Sequence, residues 1–127
     1  MTVETGMRGT ASLVVRDFDT ASALGSGDVD VLGTPRLIAL CEQATMVALA
    51  DELSAGVSSI GMRIRVDHLQ PTPVGAKVTA EAVLDKIDGR RLTFTVTVSD
   101  SGGLIAAGKI TRALVDRASF LDKCCSA

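Results

Sequence analysis

The chain has 127 residues, of which 46% are hydrophobic, so it can bury one core but not two, and we predict a single domain over residues 1–127. Its net charge of −2 gives no basic field for nucleic acid or for an anionic membrane. Three Phe residues, with no Trp or Tyr, also give no platform for stacking bases, so we expect neither a nucleic-acid nor a membrane partner.

The amino terminus and the cysteines indicate the compartment. Residues 1–13 lack the basic start and the apolar stretch of a signal peptide, and no apolar run approaches the roughly 20 residues of a membrane span. Cys41 lies in an apolar segment, whereas Cys124 and Cys125 are adjacent, which favours reduced thiols over a disulfide framework. One His and no spaced cysteine pair leave too few ligands for a metal. We expect a cytoplasmic protein without a metal site.

The first predicted elements are a strand, a long loop and a helix. The strand covers residues 8–16, and the loop or lid covers residues 17–33, where Gly, Ser and Asp sustain neither the helical nor the strand period. Thr34 and Pro35 mark the helix start, because Thr is a good N-cap and Pro is favoured at the first helical position. The helical pattern then continues to about Leu53.

After the helix the hydrophobic period changes from 3.6 to 2, which indicates strands. The first of them places five side chains in one phase: Ile60, Met62, Ile64, Val66 and His68. Two further alternating runs, residues 77–85 and 91–98, are joined by Asp88-Gly89, a signal for a type I′ hairpin. A last strand covers about residues 104–115. We predict that these four strands form an antiparallel meander.

One largely apolar helix beside five strands has a simple packing solution. The sheet curls around the helix and covers most of its circumference, which is the hotdog architecture, an α+β fold. One sheet cannot enclose the helix completely, and its edge strands stay open. We therefore predict a homodimer with a continuous sheet, and the sequence does not decide whether dimers pair into tetramers.

Glu42 interrupts the apolar pattern of the predicted helix. It is the only carboxylate between Leu37 and Ala50, where it either faces solvent, pairs with an arginine such as Arg63 or Arg65, or belongs to a site. Burying an unpaired carboxylate is costly and is tolerated mainly where the group is used. The composition of the helix does not decide between these alternatives.

His68 and Thr34 are two further candidates. His68 is the only histidine and continues an apolar strand phase, so its ring should face the helix or the dimer seam, where it can meet a carboxylate. As a structural alternative, it ends a strand as a satisfied polar group. Thr34 is explained by N-capping alone, although a helix start also offers N–H groups and a partial positive charge to a developing oxyanion.

Two segments, LGTPRLIALCEQA and SSIGMRIRVDHLQPTPVGAKVTAEAVLDKIDGRRLTFTV, resemble the fluoroacetyl-CoA thioesterase-like branch of the hotdog superfamily. The resemblance covers roughly residues 30–120. The functional residues of that family are a Thr at the helix start, a Glu eight residues later, a Gly on the following strand and a His seven residues beyond it. Four residues here have these spacings: Thr34, Glu42, Gly61 and His68.

The resemblance implies hydrolysis of an acyl-CoA thioester, with coenzyme A entering as part of the substrate and no separate cofactor. Thr34, Glu42 and His68 would be catalytic, and Gly61 would bind near the carbonyl oxygen. Glu42 would attack the carbonyl or activate water while His68 transfers protons. The fluoroacetyl-selective enzyme carries a phenylalanine-bearing lid, whereas residues 17–33 contain one aromatic residue, so we expect a small or medium acyl group.

Helix geometry adds a prediction about the assembly. Eight helical residues rise about 12 Å, so Thr34 and Glu42 of one chain cannot contact the same carbonyl, and we predict two sites per dimer at the interface. The phosphates of CoA are expected to meet scattered arginines: Arg63, Arg65, Arg90, Arg91 or Arg112. Two other classes stay open, an acyl-CoA hydratase or dehydratase and a non-catalytic acyl-CoA-binding hotdog protein. The carrier, CoA or an acyl-carrier protein, is also open.

Overall fold

The computed structural model describes residues 2–125. Five strands are present: β1 (Arg8–Val14), β2 (Val57–His68), β3 (Lys77–Asp88), β4 (Arg91–Asp100) and β5 (Gly103–Asp116). The helices are α1 (Ala21–Leu24), α2 (Thr34–Ala48) and α3 (Arg117–Cys125), and a 3₁₀ turn covers Asp17–Asp19. The predicted loop before the long helix therefore contains two short helical turns, and α3 has no counterpart in the prediction. Within residues 2–125, no helix is long and apolar enough to cross a membrane.

All five strands form one antiparallel sheet in the order β1-β3-β4-β5-β2. A curled five-stranded antiparallel sheet against one long helix confirms the predicted architecture. The predicted meander is correct for β3, β4 and β5 but wrong for β2, which pairs with β5 at the far edge. Residues 69–76, after β2, contain two prolines and no tight-turn signal, so they cross the sheet instead of forming a hairpin.

The core lies between α2 and the inner face of the sheet. The predicted inward residues of β3 and β4 are all fully buried: Val78, Ala80, Ala82, Leu84, Leu92, Phe94, Val96 and Val98. The helix packs mainly on β1 and β3. Its backbone approaches β1 closely, because a Cβ at Gly9 would overlap the backbone of Ala44 and Ala48. The opposite face of α2 leaves Met46 and Val47 exposed.

Two local predictions differ from the structure. The helix α2 ends at Ala48 rather than near Leu53, and Asp51 beyond it has a left-handed backbone with φ of 65°. The β3–β4 hairpin forms, but its two-residue loop is Gly89-Arg90. Gly89 has φ of 60° whereas Arg90 has no positive φ, which is the type II′ pattern rather than the predicted type I′.

A β-bulge in β2 determines which of its side chains face the helix. Gly61 pairs with Arg112 of β5, and the register then shifts by one residue, so that Arg63 pairs with Thr111. In a regular strand Gly61 and His68 would face opposite sides, because seven residues separate them. The extra residue restores them to the same side, the side of α2.

Because of the bulge, the predicted alternation of β2 is correct for only part of the strand. The phase from Ile64 to His68 faces α2 as predicted, since these residues pair with the inward positions of β5. The same prediction is wrong for Ile60 and Met62, which precede or form the bulge. A one-residue insertion has no marker in the hydrophobic pattern, so the alternation gave no indication of it.

Candidate active site

The amino end of α2 holds the first pair of predicted site residues. The N-cap of α2 is Gly33 and Thr34 is the first helical residue, so the prediction that Thr34 caps the helix is wrong. Its hydroxyl is used elsewhere, with Oγ1 2.8 Å from Nδ1 of His68. His68 is the last residue of β2, so the end of an edge strand brings the imidazole to the start of the helix.

The imidazole of His68 is partly buried and has one contacted and one free ring nitrogen among residues 2–125. Burial lowers its pKa, with the Gln70 backbone acting in the opposite direction, so the ring is neutral at neutral pH. Its Nε2 is buried and has no hydrogen-bond partner among residues 2–125. Buried polar atoms are nearly always paired, and an unpaired one indicates a missing ligand, water or partner group. One ring nitrogen is therefore held by Thr34 while the other is available to a third group.

A cavity of about 320 Å³ adjoins this pair. Thr34, His68 and Gln70 form one side of it. The loop before α2 forms the other side with small or branched residues: Ala21, Ser26, Gly27, Val29, Val31 and Leu32. Gly33 packs closely against this loop, because a Cβ there would lie 3.2 Å from the backbone of Ala21 and 2.8 Å from the flexible end of Leu24.

The loop is fixed to the helix start by a buried carboxylate. Asp19 is 2% exposed, and its Oδ1 lies 3.2 Å from Nε of Arg36 in the first turns of α2. Its Oδ2 accepts a hydrogen bond from the backbone N–H of Arg16 at 2.9 Å. The backbone N–H of Gly33 in turn donates to the Asp19 carbonyl. These contacts fix the position of the loop, which lines the cavity, relative to Thr34.

The middle of α2 holds the second group of site residues. Oε2 of Glu42 lies 3.3 Å from Nη1 of Arg112 on β5. The guanidinium is only 4% exposed, and it donates two further 2.9 Å hydrogen bonds, to Oγ and to the carbonyl oxygen of Ser59. The Glu42 side chain remains 33% exposed. A fixed, partly accessible carboxylate results, and its partner is neither Arg63 nor Arg65.

Gly61 lies directly against this carboxylate. A Cβ at Gly61 would overlap Oε2 of Glu42, so only glycine leaves room for the carboxylate where it stands. Gly61 is also the cross-strand partner of Arg112. Glu42, Gly61 and Arg112 therefore form one compact cluster around the acid.

Arg112 is the functional residue that the sequence reasoning misassigned. It was expected among the arginines that meet CoA phosphates, but it is buried and engaged by Glu42, so that expectation is wrong for this residue. Burial lowers the pKa of Arg112, and the Glu42 carboxylate opposes that shift. The hydrophobic alternation of β5 indicates that Arg112 faces the core, because Arg112 shares the inward phase of Ile110 and Leu114.

The two groups do not meet within one chain. Thr34 and Glu42 lie eight residues apart on α2, a rise of about 12 Å. The expectation that His68 meets a carboxylate is not fulfilled inside the chain, since its ring contacts Thr34 while Glu42 contacts Arg112. Cys41, beside Glu42, is buried in the core, and burial followed by the nearby carboxylate raises its pKa to about 11. Its thiol is therefore protonated and structural.

Comparisons with known proteins identify the family. The profile of the fluoroacetyl-CoA-specific thioesterase family matches residues 15–118. A fluoroacetyl-CoA thioesterase of Streptantibioticus cattleyicolor is 35% identical over 91 residues, which are 72% of this chain and 66% of that protein, slightly under two thirds of its length.

Solved structures show the same relationship. A structure of the fluoroacetyl-CoA thioesterase superposes with a TM-score of 0.91 at 30% identity, covering 99% of this chain and 98% of the other. A thioesterase superfamily member from Thermus thermophilus, 23% identical, shares the fold with a TM-score of 0.86 and covers 94% of this chain and 88% of its own. The chain therefore belongs to the fluoroacetyl-CoA-specific thioesterase family, within the hotdog thioesterase superfamily.

Proposed function

We propose that this protein is an acyl-CoA thioesterase, which hydrolyses the thioester bond of a small or medium acyl-CoA to a carboxylic acid and free CoA. Family membership supports the reaction class. The observation that carries the proposal is the imidazole of His68, whose Nδ1 is bound by Thr34 and whose buried Nε2 lacks a partner among the described residues. This arrangement beside a cavity suits a group that moves protons to and from a bound substrate.

The proposed roles follow from the two clusters. Glu42, held by Arg112, either attacks the thioester carbonyl carbon or takes a proton from the water that does. The carbonyl oxygen becomes an oxyanion, which Gly61 N–H and the positive end of α2 would stabilise. The C–S bond then breaks, and the CoA thiolate takes up a proton that His68 relays from water. If Glu42 is the nucleophile, water then hydrolyses the glutamyl anhydride, which releases the carboxylic acid and restores the carboxylate. Thr34 fixes the orientation of the ring through its contact with Nδ1.

A small or medium acyl group fits the cavity beside Thr34. Its loop side carries no aromatic side chain, and Phe18, the only aromatic residue of the loop, is 68% exposed outside this wall. Relatives named for fluoroacetyl-CoA share the family, but nothing in this wall restricts the acyl group to two carbons. We therefore include longer acyl chains in the proposed substrate class.

A complete site requires a second subunit under this proposal. The inner side of the edge strand β2 leaves Ile64 39% exposed, and the uncovered face of α2 exposes Met46 and Val47. Exposed apolar side chains beside an open edge strand favour pairing of β2 with its copy. In antiparallel pairing, the His68 end of one strand lies near the Gly61 end of the other. The Thr34–His68 pair of one chain would then face the Glu42 cluster of its partner.

A cytoplasmic location belongs to the same proposal, since Cys41, Cys124 and Cys125 are all free thiols. Light scattering would measure whether dimers pair into tetramers.

Release of free thiol from a series of acyl-CoA esters of increasing chain length tests the function. Wild type should release CoA from short and medium chains, and Glu42→Gln should reduce kcat by about 10³-fold because the carboxylate is lost. Glu52→Gln, a carboxylate outside the site, is the matched control and should behave as wild type. Absence of thiol release from every ester contradicts the proposal, and hydration of an unsaturated acyl-CoA would favour the hydratase alternative.

A further inference from the structure

The sheet face that points away from α2 carries a row of polar side chains across four strands. Consecutive cross-strand partners form the row: Lys86 of β3, Thr93 of β4, Thr111 of β5 and Arg63 of β2. Arg91, two residues before Thr93, lies on the same face. Together with Asp88 and Met62 these residues line a depression of about 150 Å³.

Two β-bulges place the outer cations of this row. In a regular β3, Lys86 would share the inward phase of the buried Leu84, but the register shifts between them and Lys86 pairs with the outward Thr93. In a regular β2, Arg63 would share the inward phase of Gly61, but the bulge pairs it with Thr111. Bulges commonly redirect side chains near functional sites. Here both of them turn a cation from the core side to the same depression.

The charges of the depression are not neutralised. Arg63, Lys86 and Arg91 are exposed, and among residues 2–125 none of them has an ion-pair or hydrogen-bond partner. Among residues 2–125, Asp88 is the only carboxylate that lines the depression, so three cations face one anion.

The adjacent row on the same face is partly neutralised. There Lys109 lies 3.4 Å from Oδ2 of Asp85, and Thr95 also donates to this carboxylate. Asp85 therefore neutralises Lys109, whereas Arg65, the partner of Lys109 on β2, has no ion pair among residues 2–125. The adjacent row leaves one cation unpaired, while the depression gathers three: Arg63, Lys86 and Arg91.

We propose that this depression binds a phosphate group. Arg63 and Lys86 approach from opposite ends, Arg91 adds a third donor, and the hydroxyls of Thr93 and Thr111, 3.4 Å apart, form the floor. Guanidinium and ammonium groups with hydroxyl donors match the oxygens and the charge of phosphate. The phosphate is supplied either by the nucleotide end of CoA, which rests on the proposed function, or by a free phosphate compound.

Direct binding tests the site independently of catalysis. Isothermal titration of the full chain uses two probes, adenosine 3′,5′-bisphosphate, which is the nucleotide end of CoA, and inorganic phosphate. The variants are Arg63→Gln, Lys86→Gln and the double variant, with Lys77→Gln, an exposed lysine near the other end of β3, as the charge-matched control. The double variant should bind the bisphosphate at least about tenfold more weakly, and the control should match wild type.

Kinetics with two esters identifies the source of the phosphate. If CoA supplies it, the double variant should raise KM for an acyl-CoA and leave kcat and hydrolysis of the matching acyl-pantetheine, which lacks the nucleotide, unchanged. Loss of binding with an unchanged KM assigns the site to a free phosphate compound. Equal binding by wild type and the double variant, or no binding of either probe by wild type, overturns the proposal. Because the titration needs no turnover, this result is separate from failure of the thioesterase assay.

Discussion

The amino end and the middle of α2 hold two different kinds of chemistry. At the amino end, Thr34 and His68 form a neutral hydroxyl–imidazole pair, and Nε2 of the desolvated ring has no partner in the described part of the chain. In the middle, Glu42 is a charged group fixed by the buried Arg112 and fitted against a glycine. We call these two groups the His68 half and the Glu42 half of the site. Each half is held by its own contacts, and neither contains all the groups that thioester hydrolysis needs.

The separation of the two groups explains the spacing of Thr34 and Glu42, which lie about two turns apart on α2. Two residues of one helix reach a common ligand when they are three or four positions apart, which Thr34 and Glu42 are not. The spacing of eight suits a two-fold assembly, in which one end of one helix meets the middle of the other. Each half can then be tested by itself.

After Glu42 itself, Arg112 is the residue whose substitution should have the largest effect on the Glu42 half. Arg112→Gln removes the ion-pair partner that holds the Glu42 carboxylate. A displacement of the carboxylate by about 1 Å should lower kcat by about 100-fold. It should also lower the free energy of unfolding by about 2 kcal/mol, because the hydrogen bonds to Ser59 and Glu42 are lost. Activity with short acyl-CoA esters and urea denaturation measure the two effects.

The control for Arg112 is Arg65→Gln, an exposed arginine on β2 outside both halves. It should leave kcat and the denaturation midpoint unchanged. An equal loss of kcat in both variants would show that the buried ion pair has no special part in positioning Glu42.

Gly61→Ala should affect the same half more mildly. The new methyl group would overlap Oε2 of Glu42, which can move because it ends a flexible side chain, so we expect about a tenfold loss of kcat. Stability should change by less than about 1 kcal/mol. A large stability loss with normal kcat in the surviving folded protein would show that the glycine serves packing and not the carboxylate.

The His68 half should respond to pH. Burial lowers the pKa of His68 below its ordinary 6.5, so in the window below that value the unfolded chain binds this proton before the folded chain does. Stability should therefore fall as pH decreases through that window, and the acid limb of kcat should lie below pH 6.5, since the neutral ring is the active form. Melting temperatures of wild type and His68→Asn between about pH 7 and pH 5 test this, and parallel curves would contradict it.

The sequence predicted those parts of the molecule that depend on periodicity. The inward residues of β3 and β4, from Val78 to Val98, follow a strict alternation, and their burial needs no long-range information. The long helix was recognised for the same reason. The four site residues were found by their spacing in a known family, and the structure brings Thr34 to His68 and Glu42 to Gly61.

What could not be predicted depends on register and on crossing connections. The bulge at Met62 is one inserted residue with no marker of its own, yet it decides which side of β2 Gly61 and His68 face. The contacts of Arg112 with Ser59 and Gly61 depend on β2 joining β5 rather than β3, which the hydrophobic pattern does not determine. Which polar side chains meet across a sheet depends on the order of the strands. That order is set by contacts between residues far apart in the sequence, which local patterns do not show.

Hybrid dimers test the central claim, that Thr34 with His68 and Glu42 come from different subunits. Thr34→Val and Glu42→Gln are purified separately, unfolded, mixed in equal amounts and refolded, with each variant refolded alone as its control. A shared site predicts about a quarter of wild-type activity in the mixture, because half of the dimers are hybrids and each hybrid has one intact site. No activity above that of the separate variants, in a mixture shown to contain hybrid dimers, would contradict the claim.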